Sequence, residues 1–211
     1  MSYHKARKDY AKHSLDESDC PSSPHELLDQ WLKEAHSDSE DANAMTLSTV
    51  GSSGQPTSRI VLLRELSSKG IKFYTNYQSQ KGKEIAENAH VSLNFFWPWV
   101  ERQVRIGGNA VKLSNKENDE YFSSRPRESQ IGALASNQSQ ILNTRKLLED
   151  KVVELEKQYA GLDIPRPEHW GGYLIVPTYF EFWQGRPSRL HDRIRYELSQ
   201  EQCWSLQRLS P

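Results

Sequence analysis

WQGRPSRLHDR, running from Trp183 to Arg193, is the stretch on which the reading of this chain turns. The residues leading into it, Tyr179-Phe180-Glu181-Phe182-Trp183, are apolar and aromatic and read as a strand. Gly185, Pro187 and Ser188 then mark a turn. Arg189-Leu190-His191-Asp192-Arg193-Ile194 follows. If that segment is extended, its side chains alternate faces: Arg189, His191 and Arg193 share one, and Leu190, Asp192 and Ile194 the other. Three basic groups side by side repel one another unless something negative sits over them. Without such a partner they would only discourage sheet-to-sheet pairing along an edge.

Outward from this stretch the chain is rich in short strands. Ala44–Val50 alternates, and 51–56 is a turn. Arg59–Leu66 and Gly70–Thr75 are separated by Ser67-Ser68-Lys69-Gly70, and His90–Trp97 and Arg102–Leu113 turn at Pro98-Trp99. Gly107-Gly108 inside the latter strand reads as a bulge. Tyr173–Trp183 and a short strand near Trp204–Leu209 complete the set.

Helices are interspersed irregularly. Ser23, Pro24 and Glu26 form the pattern of a capping box, opening a helix whose Leu27, Leu28, Trp31, Leu32 and Ala35 follow helical spacing. A short helix over Lys81–Asn88 is capped by Ser79. Ser114 and Glu117 form a second capping box, on a helix that must end near Pro126, and Asn143–Tyr159 is amphipathic. This mixture points to an α+β barrel with peripheral helices rather than a parallel sheet.

At 211 residues the chain can bury one substantial core. Its net charge of −1 gives no overall pull toward nucleic acid or anionic membrane, so any anion site must be local. Cys20 and Cys203 are too few for a disulfide framework and read as free thiols. The absence of a signal-like or membrane-length apolar run predicts a soluble intracellular protein. Metal-ligand spacings, phosphate-loop and dinucleotide fingerprints and the nucleophile elbow are all missing, so no metal is expected.

What recurs instead is Arg or Lys beside Ser, Gln or Tyr, the donor set a phosphate dianion needs. One group is Arg59 with Ser79 and Lys81 at a helix start, where free N–H groups and the dipole favour an anion, with Gln138-Ser139 as further donors. Another is Tyr121 and Arg125, four apart on one helix face, with Ser129 approaching from a loop beyond Pro126. Taken singly, each reads better as an ordinary surface charge or a cap.

The opening stretch resembles the C-terminal signature of the pyridoxamine 5′-phosphate oxidases, FMN enzymes that make pyridoxal 5′-phosphate. RIVLLR at Arg59–Arg64, FYTN at Phe73–Asn76 and ERQVR at Glu101–Arg105 match as well. So do YFSSRPRESQIGALASNQSQ at Tyr121–Gln140, HWGGY at His169–Tyr173 and RLSP at Arg208–Pro211. The pieces fall in order from about Arg7 to the last residue. The resemblance implies a split β-barrel of FMN-binding type over residues 23–211 and a cytoplasmic homodimer with flavin at its interface. It further implies oxidation of pyridoxamine and pyridoxine 5′-phosphate by oxygen, with hydrogen peroxide as co-product. The alternative is a non-catalytic split barrel that only holds flavin or pyridoxal phosphate.

By the same resemblance, Arg59, Ile60, Val61, Leu62, Leu63 and Arg64 border the FMN. Tyr74, Thr75, Gln80, Lys81, Gln103, Gln138, Ser139, Trp183 and Arg193 supply further flavin contacts. Arg64, Tyr121, Arg125 and Ser129 would grip the substrate's phosphate, and Arg189 and His191 its pyridine ring. Residues 1–22, polar and read as a mobile segment, carry an Arg-x-x-Tyr element, Arg7 and Tyr10, that the resemblance makes a substrate lid. Two departures stand out: Arg64 and Gln80 occupy positions usually held by lysine and arginine. Finally, parity along a regular strand places Arg59 and Arg64 on opposite faces, to serve different anions.

Overall fold

The computed structural model describes residues 9–211, and Arg7 lies outside them. Strands β1 (Ala44–Val50), β2 (Pro56–Leu62), β3 (Glu65–Ser67), β4 (Gly70–Asn76), β5 (His90–Trp97) and β6 (Arg102–Lys112) form one antiparallel sheet with β7 (Trp170–Gln184), β8 (Asp192–Leu198) and β9 (Trp204–Arg208). The order is β2-β1-β5-β6-β7-β4-β3, with β8 and β9 continuing from β7. Strand β7 is the axis of the fold. Its first half pairs with β4 (Tyr74 opposite Gly172) and its second half with β8 (Trp183 opposite Arg193), while β6 runs along its other side. The register slips between Gly107 and Gly108, the expected bulge, where a Cβ on Gly108 would stand 2.3 Å from the Val176 carbonyl. Bulges bend strands, and here the sheet curls into a barrel-like shell.

Alternation fills the inside of that shell. Leu47, Phe73, Leu93, Phe95, Val104, Ile106, Ile175, Phe180, Phe182 and Ile194 are wholly buried. Helix α1 (Pro24–Asp38) lays Leu28, Trp31 and Ala35 onto the core, with Trp31 edge-on to Phe182 at 5.2 Å. Ser23 caps α1 through its backbone alone; its side chain makes no capping bond, so the expected capping box is not formed. Helix α2 (Gln80–Glu87) is capped as expected, Ser79 Oγ accepting from Gly82 N–H. Helix α3 (Asn115–Ser124) carries the full Ser114/Glu117 box. Helices α4 (Arg127–Ala135) and α5 (Arg145–Gln158) follow, and Phe122, Ile131, Ile164 and Trp170 form a second, smaller core beneath this group.

Four further expectations change. The strand read over Arg59–Leu66 breaks at Leu63-Arg64, whose N–H groups go to Asn43 and Lys72 carbonyls, so the parity argument lapses. Arg125 is extended (φ −72°, ψ 150°) past the end of α3, and is not on its face. Ser129 lies in the first turn of α4, not in a loop. Residues 187–189 form a 3₁₀ turn with Ser188 and Arg189 left-handed (φ 57° and 63°), so Arg189 is off the strand that begins at Asp192. No helix among the described residues is long and apolar enough to cross a membrane.

Candidate functional site

A cavity of about 780 Å³ opens between the free edge of β2, the end of β4, the start of α2, and α3–α4. That is within the roughly 300–1,000 Å³ usual for small-molecule sites. Arg59, Arg64, Lys81 and Arg125 line it, and no carboxylate does. Four cations facing one space in a chain of net charge −1 make the positive potential local to this cavity.

At one end, Arg59 donates to Thr57 Oγ1 (2.5 Å) and Thr49 Oγ1, and lies 3.4 Å from the Glu84 carboxylate. Glu84 in turn accepts from Thr49 (2.5 Å), Thr57 (2.6 Å) and Gln80 (2.9 Å). Burial pushes its carboxyl up, but those hydrogen bonds and the Arg59 charge bring it net below the ordinary range. Lys81 donates to Gln138 Oε1 (2.9 Å), Thr75 Oγ1 (3.1 Å) and Ser79 Oγ (3.3 Å), all neutral; no carboxylate pairs with it among the described residues. Burial first, and the Arg59 charge second, lower its pKa to about 8, with Glu84 opposing. Ser139, beside Gln138, holds a left-handed φ of 70°. Such backbone costs about 1–3 kcal/mol and persists where surroundings enforce it.

At the other end, Tyr74 and Tyr121 stack at 3.7 Å, and Trp170 lies parallel to both. Burial raises the Tyr74 hydroxyl to about 12. The Arg125 guanidinium sits 4.5 Å over Trp170, and its Nη1 is buried with no hydrogen-bond partner. Burial disfavours its charge, and the neighbouring Arg64 adds to this. A guanidinium stays charged regardless, so a buried donor facing a cavity calls for an anion. Ser129 lines the wall beside it.

Leu63 turns away from the cavity to pack on the core, whereas Ile60, Val61, Leu62, Tyr74, Thr75, Gln80 and Gln138 line it. The remaining expected residues gather elsewhere. Gln103, Trp183 and Arg193 are consecutive cross-strand neighbours on β6, β7 and β8. Arg193 is clamped by buried Glu181, through Nε at 3.0 Å and Nη2 at 2.9 Å, and Glu181 also accepts from Arg105 (3.1 Å) and Tyr179 (2.5 Å). His191 lies 4.6 Å from the Trp183 ring, and Tyr10 stands edge-on to both. The backbone N–H of Arg186 donates to His191 Nδ1 (3.1 Å), which leaves Nε2 to carry the proton of the neutral ring. Burial and Arg189 lower the His191 pKa, against Asp192. Arg189 itself is exposed.

The second patch contributes nothing to the cavity wall of its own chain. Gly172, beside Tyr74, and Trp183 lie eleven residues apart along β7, roughly 36 Å of strand at ~3.3 Å per residue. Strand reading joined Arg189 to the face of His191 and Arg193, from which the 3₁₀ turn removes it, and could not show that this group stands outside the cavity. It also missed Thr49, Thr57, Glu84, Trp170 and Glu181. The pairing of Thr49 with Thr57, and the four-residue spacing of Gln80 and Glu84, were the available signals.

A family model described as pyridoxamine 5′-phosphate oxidase matches residues 32–159. The chain belongs to the pyridoxamine 5′-phosphate oxidase family. A second model of this family, the pyridoxine 5′-phosphate oxidase C-terminal dimerisation region, matches 170–211 and so contains the whole Trp183–Arg193 patch. Family members named pyridoxine/pyridoxamine 5′-phosphate oxidase, from Actinobacillus succinogenes and Haemophilus ducreyi, are each 50% identical to this chain over 100% of both sequences. Among solved structures, PhzG from Burkholderia lata 383, in complex with tetrahydrophenazine-1-carboxylic acid, is similar with a TM-score of 0.89. It is 32% identical and the match covers 95% of this chain and 99% of that one. A pyridoxamine 5′-phosphate oxidase-related, FMN binding protein from Nostoc punctiforme shares the fold alone, with a TM-score of 0.72 at 16% identity over 89% and 97% of the chains. The split β-barrel expected from the sequence is thus the fold observed.

Proposed function

We propose that this chain is an FMN-dependent oxidase acting on pyridoxamine 5′-phosphate and pyridoxine 5′-phosphate, working as a homodimer in the cytoplasm. The observation that carries the reading is the cavity with two separate cationic ends. Lys81 and Arg59, with Gln138 and Ser139, suit the phosphate of FMN. Arg64 and Arg125, with Tyr121 and Ser129, suit the phosphate of the substrate. Arg125's unpartnered buried Nη1 is the measure of fit, since a phosphate oxygen would satisfy it. A flavin carrier without turnover needs only the first end.

When bound, FMN supplies the hydride acceptor for oxidation at the substrate's C4′ carbon, and oxygen restores it with release of hydrogen peroxide. The chain's own residues bind and orient. Arg64 and Arg125 fix the phosphate, and the Tyr74–Tyr121–Trp170 stack walls the cavity and limits water. The patch bearing Gln103, Trp183, Arg193, Arg189 and His191 is supplied by the second subunit, which the family's C-terminal dimerisation region supports. His191 presents an Nε2 proton donor rather than a base, and Arg189 a planar cation for the ring. The unpaired Cys20 and Cys203 suit a reducing compartment.

The test is to purify the protein, measure bound FMN, and follow oxygen uptake with pyridoxine 5′-phosphate, unphosphorylated pyridoxine and a reduced phenazine carboxylate. The proposal expects about one FMN per subunit, turnover of the phosphate ester, and little with the other two. FMN binding without any turnover would mark the protein as a carrier, and preference for the phenazine would relocate its substrate class.

A further inference from the structure

Tyr10 stands against Trp183 and His191, and the residue that holds the chain beside it is Glu101. This glutamate is 3% exposed and sits in the turn between β5 and β6 with a left-handed φ of 57°, uncommon for anything but glycine. Its Oε2 accepts the backbone N–H of both Ala11 (2.8 Å) and Lys12 (3.0 Å). Its own carbonyl accepts the N–H of Gly185, at 2.8 Å. One residue therefore joins the N-terminal segment to the floor of the Trp183–Arg193 turn. The Lys12 ammonium adds a bond to the Trp99 carbonyl in the same turn. Gly185 completes the seat: a Cβ there would stand 2.7 Å from Cβ and Cγ of Tyr10.

The segment is also pinned further along. Leu15 N–H donates to Asp192 (3.1 Å), Arg186 donates to the His13 carbonyl (3.2 Å), and Arg208 pairs with Asp16 and Glu17. These bonds hold residues 13–17 without Glu101. What Glu101 holds, by the main-chain N–H groups of Ala11 and Lys12 and with the Lys12 ammonium assisting on the Trp99 carbonyl, is the stretch adjoining Tyr10. A buried carboxylate that accepts from two main-chain donors 90 and 89 residues away is a strong device, because bonds to an ionised acceptor are about twice as strong as neutral ones.

We propose that Glu101 is a positioning residue that seats Tyr10 against Trp183 and His191 and thereby completes the substrate-facing wall. This role rests on the oxidase reading above; the clasp itself does not.

The two are separated by measuring hydrogen exchange and steady-state kinetics on the FMN-loaded full chain. In Glu101→Ala, exchange at Ala11 and Lys12 should speed by about tenfold or more, the scale of a lost bond to a charged group, while Leu15 stays protected. The KM for pyridoxine 5′-phosphate should rise, with FMN affinity unchanged. Glu101→Gln keeps an oxygen acceptor and should recover part of both effects. Gly185→Ala leaves Glu101 intact but displaces Tyr10, and should reproduce the KM change. Unchanged exchange at residues 11–12 in Glu101→Ala overturns the clasp. Faster exchange with unaltered kinetics in both alanine variants overturns the positioning role. So does an equal loss of FMN and melting temperature in Glu101→Gln and Glu101→Ala, which would make the residue structural only. A wild-type protein that turns over no substrate overturns the oxidase reading and this role together, and the exchange result still decides the clasp.

Discussion

Lys81 connects the chemistry of the site to pH. Burial and Arg59 lower its pKa to about 8, so the folded, ligand-free protein releases that proton more readily than the unfolded chain does. A base with a depressed folded pKa costs stability below that value, and the cost fades as pH rises from about 8 toward the unfolded value. Binding of a phosphate dianion should reverse the shift by favouring the ammonium. FMN affinity is therefore expected to fall above pH 8, by at most about tenfold per pH unit for one linked proton, and Lys81→Arg should flatten the profile because arginine does not titrate. Flavin fluorescence titrations from pH 6.5 to 9.5 read this directly; a flat wild-type profile would mean that Lys81 does not bear on the cofactor. Arg59 and Arg64 offer a second test. They border one cavity, so parity no longer separates them, but Arg59 neighbours Lys81 while Arg64 neighbours Arg125. Arg59→Ala should mainly weaken FMN. Arg64→Ala should keep FMN and raise the KM for pyridoxine 5′-phosphate, with kcat little changed if it serves ground and transition states alike. Equal FMN loss in both variants would merge the two anion sites.

At the level of elements, the start of α2 shows how a cap becomes part of a site. Ser79 is fully buried, accepts from Gly82 N–H (3.3 Å) and donates to the Asn76 carbonyl (2.6 Å), and its oxygen also receives the Lys81 ammonium. Ser79→Ala should lower stability of the FMN-free protein by about 0.5–2 kcal/mol, the usual cost of an N-cap, and weaken FMN as Lys81 loses a partner. Urea unfolding without flavin measures the first effect; an unchanged midpoint would show the backbone turn suffices. This helix was legible from its Ser79 cap, which the structure forms as expected. Helix α4 was not: Pro126 announced a break, Gly132 weakens helix propensity, and only Ile131 and Ala135 are buried. The turn after β7 was marked by Gly185, Pro187 and Ser188, but its reach through Arg189 was hidden. Ser188 and Arg189 carry left-handed backbone that neither residue type signals, so an alternating pattern looked like a strand. The bulge at Gly107-Gly108 could be read because glycine pairs within a strand have few other uses.

For the whole molecule, the separation of the two patches is the central fact. The sequence carried both sets of residues, but alternation and capping are local signals, and neither says how far apart two ends of one long strand will lie. Strand β7 places Tyr74's partner Gly172 and the patch residue Trp183 roughly 36 Å apart along the chain at ~3.3 Å per residue. None of Gln103, Trp183, Arg189, His191 and Arg193 lines the cavity of its own chain, and in the two-fold dimer proposed above each patch would complete the other subunit's cavity. The exposed side chains of Ile60 and Leu62 on the free edge of β2 are the apolar surface such a partner would cover. Complementation tests this arrangement. Arg125→Ala leaves the patch intact and disables the cavity; His191→Ala does the reverse. Each pure variant should be severely impaired. When the two are unfolded together and refolded at equal amounts, half of the dimers are mixed, and in each mixed dimer one of two sites joins a native cavity to a native patch. Activity should return to about a quarter of wild type under random two-fold pairing, with the other sites silent. If each site were built within one chain, mixing would restore nothing beyond the average of the two pure variants, and the dimeric assignment of Gln103, Trp183, Arg189, His191 and Arg193 would fall.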